Sequence, residues 1–196
     1  SLNGVAPETV DLVVITDCSD ERRIGEAGKT ARTWNKPWIN LDHHATNVLF
    51  ADANIVRSNA ASSTEVVVDW AERDGWHIAP EAAACLMTGL VTDTLCFRTS
   101  NTTPQVMEAA MRLMQGGANL PQIVAHTLNR RDFSIFRLWG LVLSTVQLDE
   151  GIIWTAITRE QMQQAGINKD DGQLSSMLIT AVEADISATF TEKVDE

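Results

Sequence analysis

A compact group of potential metal ligands stands at residues 42–44, where Asp42 precedes the adjacent histidines His43 and His44. Carboxylate oxygens and neutral imidazole nitrogens both bind divalent cations such as Mn, Zn or Fe. Adjacent residues on an extended backbone point in opposite directions, so we expect the two histidines to have different roles. One would bind metal and the other substrate, while Asp42 could orient a histidine. Taken alone, the tripeptide also fits a polar loop with two solvated histidines.

Two further carboxylates follow hydrophobic segments, as the histidine pair does. Asp17 comes directly after residues 11–16, an apolar run typical of a buried strand, and Asp93 follows another apolar run that begins at Gly89. Residues 37–41, before Asp42, are also predicted to form a strand. Ligands gather where the parallel strands of α/β sheets end, so three such exits on one sheet would converge on one crevice. Each aspartate by itself would be interpreted as a turn or cap residue.

The order and spacing of these motifs resemble the DHH superfamily of phosphoesterases, in particular its RecJ-like nanoRNase/pAp-phosphatase branch with DHH and DHHA1 domains. Asp17, the 42–44 triplet and Asp93 match the second, third and fourth motifs of that family. The matching segments are residues 16–20, 42–44, 63–65, 92–94 and 97–103. The resemblance extends from about residue 11 to about residue 131, and more weakly to residue 196.

The resemblance implies a site with two metal ions. Asp17 would bridge the two ions, and His43 and Asp93 would complete the shell of one of them. The oxygen-rich ligand set favours Mn, with Mg as the alternative, over a thiolate-type zinc site. The family's first motif, His-x-x-x-Asp-x-Asp, does not precede Asp17, and the GGGH-like signature of its C-terminal domain is absent. We therefore expect the chain to be an internal piece of a longer protein, with an incomplete metal centre.

The same resemblance implies the catalytic and substrate contacts. His44, with Asp42 beside it, would face the phosphate or the leaving oxygen. Arg98 would contact a phosphate or a base, although an ordinary solvated arginine fits that position as well. The implied function is hydrolysis of short oligonucleotides (nanoRNA), pAp or linear or cyclic dinucleotides, and polyphosphate stays open as a substrate. The alternatives are a degenerate DHH module that binds nucleotides without catalysis, and a scaffold with an accidental match.

The elements that position these residues predict an α/β fold, with a largely parallel sheet flanked by helices and the start of a second, smaller α/β domain. We expect a DHH domain at residues 1–148 and a partial DHHA1-like substrate-binding domain at residues 151–196, since the composition changes near residues 148–151. Capping boxes are predicted at residues 62–65 and 158–161, where a serine or threonine precedes a glutamate or glutamine by three positions. A later helix is expected over residues 174–182, and strands over residues 152–157 and 186–190.

Composition narrows the class of partner. Hydrophobic residues make up 44% of the 196 residues, which is enough for a folded core. A net charge of −11 argues against binding to long duplex nucleic acid, which needs a basic surface. No apolar run approaches the ~20 residues of a membrane-spanning helix, so no membrane partner is expected. Three cysteines without CxxC spacing are typical of reduced thiols in a cytoplasmic protein. The resemblance further implies a short nucleotide substrate and a homodimer.

Overall fold

The computed structural model describes residues 2, 4–128, 130–167 and 171–192. The chain divides into two compact units, Ser1–Asn129 and Arg130–Glu196. The division lies before the turn that had suggested a boundary at residues 148–151. Leu138 and Val142, which precede that turn, pack into the core of the second unit with Ile153 and Ile157. The assignment of residues 1–148 and 151–196 to DHH and DHHA1-like domains stays a prediction.

The described residues of the first unit form a three-stranded sheet and five α-helices. The strands are β1 (Val13–Thr16), β2 (Trp38–Asp42) and β3 (Ala53–Val56), and the helices are α1 (Gly25–Arg32), α2 (Ser63–Arg73), α3 (Pro80–Asp93), α4 (Pro104–Gln115) and α5 (Leu120–Thr127). The strands lie in the order β1-β2-β3, and both pairs are parallel. Trp38 and Leu41 of the central strand are buried on opposite faces, as expected for a parallel sheet covered by helices. The predicted parallel α/β arrangement is confirmed.

The start of α2 is fixed by three hydrogen bonds that its sequence only partly predicts. The Ser62 hydroxyl accepts from the Thr64 amide at 3.1 Å, as an N-cap should. The predicted capping box is wrong, however, because the Glu65 carboxylate accepts from the Ala61 amide at 3.0 Å instead of the Ser62 amide. The Thr64 hydroxyl donates to the Leu86 carbonyl at 3.0 Å and so ties α2 to α3.

The second unit contains α6 (Phe133–Val142), β4 (Gln147–Asp149), β5 (Ile152–Ile157), α7 (Arg159–Ala165), α8 (Leu174–Leu178) and β6 (Ile186–Thr191). β5 pairs antiparallel with β4 and parallel with β6. The capping box from Thr158 to Gln161 is confirmed at the start of α7. The helix expected over residues 174–182 is shorter, since α8 ends at Leu178. None of the helices in the described residues is both long and apolar enough to cross a membrane.

Candidate metal centre

Asp17 is the first residue beyond β1, and its backbone turns the chain out of the sheet. Its φ angle is 59°, in the left-handed region that few residues other than glycine adopt, although aspartate tolerates it. The Asp17 amide still donates to the Leu41 carbonyl of β2 at 3.0 Å. The side chain, 53% exposed, is therefore placed at the C-terminal edge of the sheet beside the end of β2.

Asp42 ends β2 and is the buried anchor of the site. Its side chain is fully buried, and Oδ1 accepts from His44 Nδ1 at 2.7 Å and from the His43 amide at 2.8 Å. Oδ2 accepts from Asn47 Nδ2 at 2.6 Å. Burial alone would raise the pKa of Asp42, but the hydrogen bonds from His44, Asn47 and the two histidine amides outweigh it and lower the pKa. Asp42 is thus an anion that orients His44.

The two imidazoles have different hydrogen-bond partners, but both lie beside Asp17, since His44 Nδ1 is 3.9 Å from Asp17 Oδ1. The different roles expected for the two histidines stay a prediction. His43 Nδ1 lies 3.3 Å from the Ala60 carbonyl, and a hydrogen bond there requires the proton on Nδ1, which leaves the Nε2 lone pair for a cation. That Nε2 is 3.4 Å from Asp17 Oδ1. His44 Nδ1 hydrogen-bonds to Asp42, so His44 Nε2 is not used in that hydrogen bond. The centroids of the two imidazole rings are 4.5 Å apart. Each histidine is held through one nitrogen and presents the other.

The site can hold a divalent cation. One ligand atom from each of Asp17, Asp42, His43 and His44 lies within 4.8 Å of the others. Asp17 and His43 offer an exposed carboxylate and an imidazole lone pair, a donor set that suits Mn, Fe or Zn. Both oxygens of Asp42 already accept hydrogen bonds, so Asp42 supports the ligands from behind.

Asp93 and Arg98 lie outside this group. Asp93 is the exposed last residue of helix α3, so the expectation of three exits from one sheet is wrong for this residue. Residues 95–97 follow, all with positive φ, and the buried Thr94 holds them by accepting from the Phe97 amide. Arg98 is exposed and donates through Nε to the Leu95 carbonyl at 2.8 Å. Metal binding by Asp93 and substrate binding by Arg98 stay predictions.

Two residues of the site were not singled out from the sequence. Asn47 Nδ2 donates to the Cys18 carbonyl at 3.1 Å as well as to Asp42, and so joins the loops that follow β1 and β2. The Ser63 hydroxyl at the start of α2 donates to Asp17 Oδ1 at 3.0 Å. Ser63 belongs to a segment that matched the family, but a serine at a helix start is ordinarily interpreted as a cap.

Comparison with curated proteins finds several relatives that are named as NrnA. No family model matches the chain. The bifunctional oligoribonuclease and PAP phosphatase NrnA of Thermus thermophilus is 35% identical over 158 residues, which are 81% of this chain and 48% of that protein. NrnA of Bacillus subtilis is 24% identical over 172 residues, 85% of this chain and 54% of that protein. The chain spans about half the length of these curated relatives.

Comparison with solved structures finds the same fold. An exopolyphosphatase-related protein from Bacteroides fragilis matches with a TM-score of 0.87 at 23% identity, over 95% of this chain and 56% of that chain. This likeness confirms the α/β fold with a parallel sheet flanked by helices. The NrnA relatives confirm the resemblance inferred from the order of the sequence motifs.

Proposed function

We propose that this chain, a relative of the DHH superfamily phosphoesterases, carries part of the metal centre of an enzyme that hydrolyses short oligonucleotides, pAp or dinucleotides. The observation that carries this proposal is the group of Asp17, Asp42, His43 and His44, whose ligand atoms lie within 4.8 Å of one another. Similarity to oligoribonuclease and PAP phosphatase proteins supports the substrate class. The net charge of −11 favours a short substrate over long duplex nucleic acid.

Each side chain has a proposed role. Asp17 and His43 would hold a divalent ion, proposed to be Mn with Mg as the alternative, and Asp93 would be a further ligand. When bound, two such ions neutralise phosphate charge and lower the pKa of the attacking water. Asp42 fixes the His44 tautomer and ring orientation, so that Nε2 is available to the phosphate or the leaving oxygen. Arg98 would orient the substrate.

A module that binds nucleotides without catalysis is the alternative. Asp17 and His43, with His44 beside them, supply ligands for one metal shell, which favours this alternative for residues 1–196 by themselves. Two carboxylates that could replace further ligands are engaged elsewhere: Asp20 contacts Arg22, and Asp52 accepts from the Trp38 amide at 2.8 Å. The Arg22 hydrogen bonds lower the pKa of Asp20 to about 2.

Cellular context is proposed from the sequence and the family. Cys18, Cys85 and Cys96 are free thiols, which supports a cytoplasmic location. A homodimer is proposed from the family likeness.

The test is calorimetric titration of residues 1–196 with Mn, together with a pApA hydrolysis assay. We expect one weak site and little or no turnover, because loss of one ion from a two-metal mechanism removes most of the rate. Asp17→Ala should abolish the binding heat, whereas the control Asp74→Ala, at an exposed carboxylate after α2, should retain it. If Asp17→Ala binds Mn with the same heat and affinity as wild type, the assignment of Asp17 as a metal ligand is contradicted. Two tight sites with rapid hydrolysis would contradict the incomplete centre.

In any protein that carries the whole metal centre, the same roles predict different losses of activity. Asp17→Ala should reduce turnover more than Arg98→Ala, since a bridging ligand holds both ions while one arginine only orients the substrate. Equal turnover of Asp17→Ala and wild type on a dinucleotide and on pAp would rule out the mechanism and leave the binding module.

A further inference from the structure

We propose that Ser63 is a positioning residue for Asp17 and thereby sets the metal affinity of the site, a role that rests on the proposed function. The Ser63 hydroxyl donates to Asp17 Oδ1 at 3.0 Å, across 46 residues of sequence. The same oxygen lies 3.4 Å from His43 Nε2. The Ser63 hydroxyl is thus the hydrogen-bond donor that restrains the rotation of the carboxylate group and keeps this oxygen beside the imidazole.

The Asp17 carboxylate needs such a support. Its side chain is 53% exposed, and the Asp17 backbone has a positive φ at the start of a loop. An exposed carboxylate samples several orientations, and ordering it on metal binding costs conformational entropy. A hydrogen bond from a fixed donor restricts those orientations before the ion binds, as residues behind metal ligands commonly do.

Ser63 is a fixed donor because other residues supply the contacts that begin α2. Ser62 is the N-cap, so the Ser63 hydroxyl is not used to cap the helix. Ser63 is itself buried, with 5% of its surface exposed. The Thr64 contact with Leu86 and the Glu65 contact with Ala61 hold the first turn of the helix from two sides. Two neighbouring buried serines thus have separate roles, one in the helix and one toward the metal ligand.

This separation gives a matched pair of variants in residues 1–196. Mn binding is measured by the electron paramagnetic resonance signal of free Mn²⁺, and folding is measured by thermal denaturation. Ser63→Ala should weaken Mn binding roughly tenfold, the lower end for a residue behind a metal ligand, with little change in melting temperature. Ser63→Thr, which keeps the hydroxyl, should bind Mn within about threefold of wild type. Ser62→Ala, which removes the cap, should lower the melting temperature but weaken Mn binding much less than Ser63→Ala, because the Thr64 and Glu65 contacts still hold the first turn.

The outcomes separate this role from the proposed function. If Ser63→Ala binds Mn as tightly as wild type does, the positioning role is overturned and the proposed metal centre is unaffected. Failure of Ser63→Thr to bind better than Ser63→Ala also overturns it, because the hydroxyl is then not the relevant group. If the wild-type chain binds no Mn, the proposed function is overturned, and the role of Ser63 is overturned with it.

Discussion

Replacement of Asp42 by asparagine tests whether this buried carboxylate is the anchor of the site. Oδ1 accepts from His44 Nδ1 and the His43 amide at 2.7 and 2.8 Å, and Oδ2 accepts from Asn47 Nδ2 at 2.6 Å. Asparagine is nearly the same size, but it places an NH2 group where one of these oxygens accepts. Whichever way the amide is turned, a donor then faces a donor inside the protein.

The magnitude follows from the number of bonds lost. Asn47 cannot reverse its own amide without cost, because its Oδ1 accepts from the Leu49 amide at 2.7 Å. A hydrogen bond to a charged group contributes about 1.5–3 kcal/mol, and an unsatisfied buried donor costs about 1–3 kcal/mol. We therefore expect Asp42→Asn to lower the free energy of unfolding of the first unit by roughly 2–4 kcal/mol at pH 7.

The pH dependence has a definite sign. The folded pKa of Asp42 is below that of the unfolded chain, so its contribution is present above the unfolded pKa of about 3.9 and is lost as the pH falls through the folded pKa. The difference between wild type and Asp42→Asn should therefore shrink as the pH is lowered below about 4. Other groups also titrate in this range: Asp20 has a pKa of about 2, and His44 contacts Asp42. Because both proteins contain these groups, their free energies of unfolding are compared with each other at each pH.

The assay is urea denaturation in which unfolding is monitored by amide hydrogen exchange of β1 and β2, so that the signal reports on the first unit. Asp74→Asn is the matched control, since it removes one exposed carboxylate and should change stability by less than about 0.5 kcal/mol. The reasoning is refuted if Asp42→Asn unfolds at the same urea concentration as Asp74→Asn. A difference from wild type that grows as the pH falls below 4 would also refute it.

Two further predictions concern other parts of the structure. Gly89→Ala should destabilise the first unit by about 1–3 kcal/mol in urea denaturation, because the new Cβ would lie 2.8 Å from Thr64 Oγ1. Gly140→Ala in helix α6 is the control, since a Cβ added there would meet no other packed group of the described residues within 4 Å, and it should stabilise the second unit by up to about 1 kcal/mol. Loss of stability in Gly140→Ala would contradict the packing argument. Arg98→Ala should leave Mn binding by calorimetry unchanged, since exposed Arg98 lies outside the metal-binding group, and a large loss would place it there.

Sequence by itself determined some of the local elements of this protein. The predicted cap at Thr158 bonds to the Gln161 amide three residues ahead, so a few neighbouring residues suffice to fix this helix start. The strand before Asp17 was predicted because an apolar run with β-branched residues favours a buried parallel strand. The order of the motifs around Asp17, Asp42 and Asp93 was sufficient for the family resemblance.

Tertiary structure decided how the local elements meet. Ser63 reaches Asp17 across 46 residues, and Glu65 bonds the Ala61 amide in place of the expected cap partner. Asp93 ends a helix outside the group of four ligands, although its sequence context resembles that of Asp17. Periodicity and composition describe each segment alone, whereas these contacts depend on where packing places one segment against another. The sequence therefore identified the candidate ligands, and packing determined which of them lie together and which residues hold them.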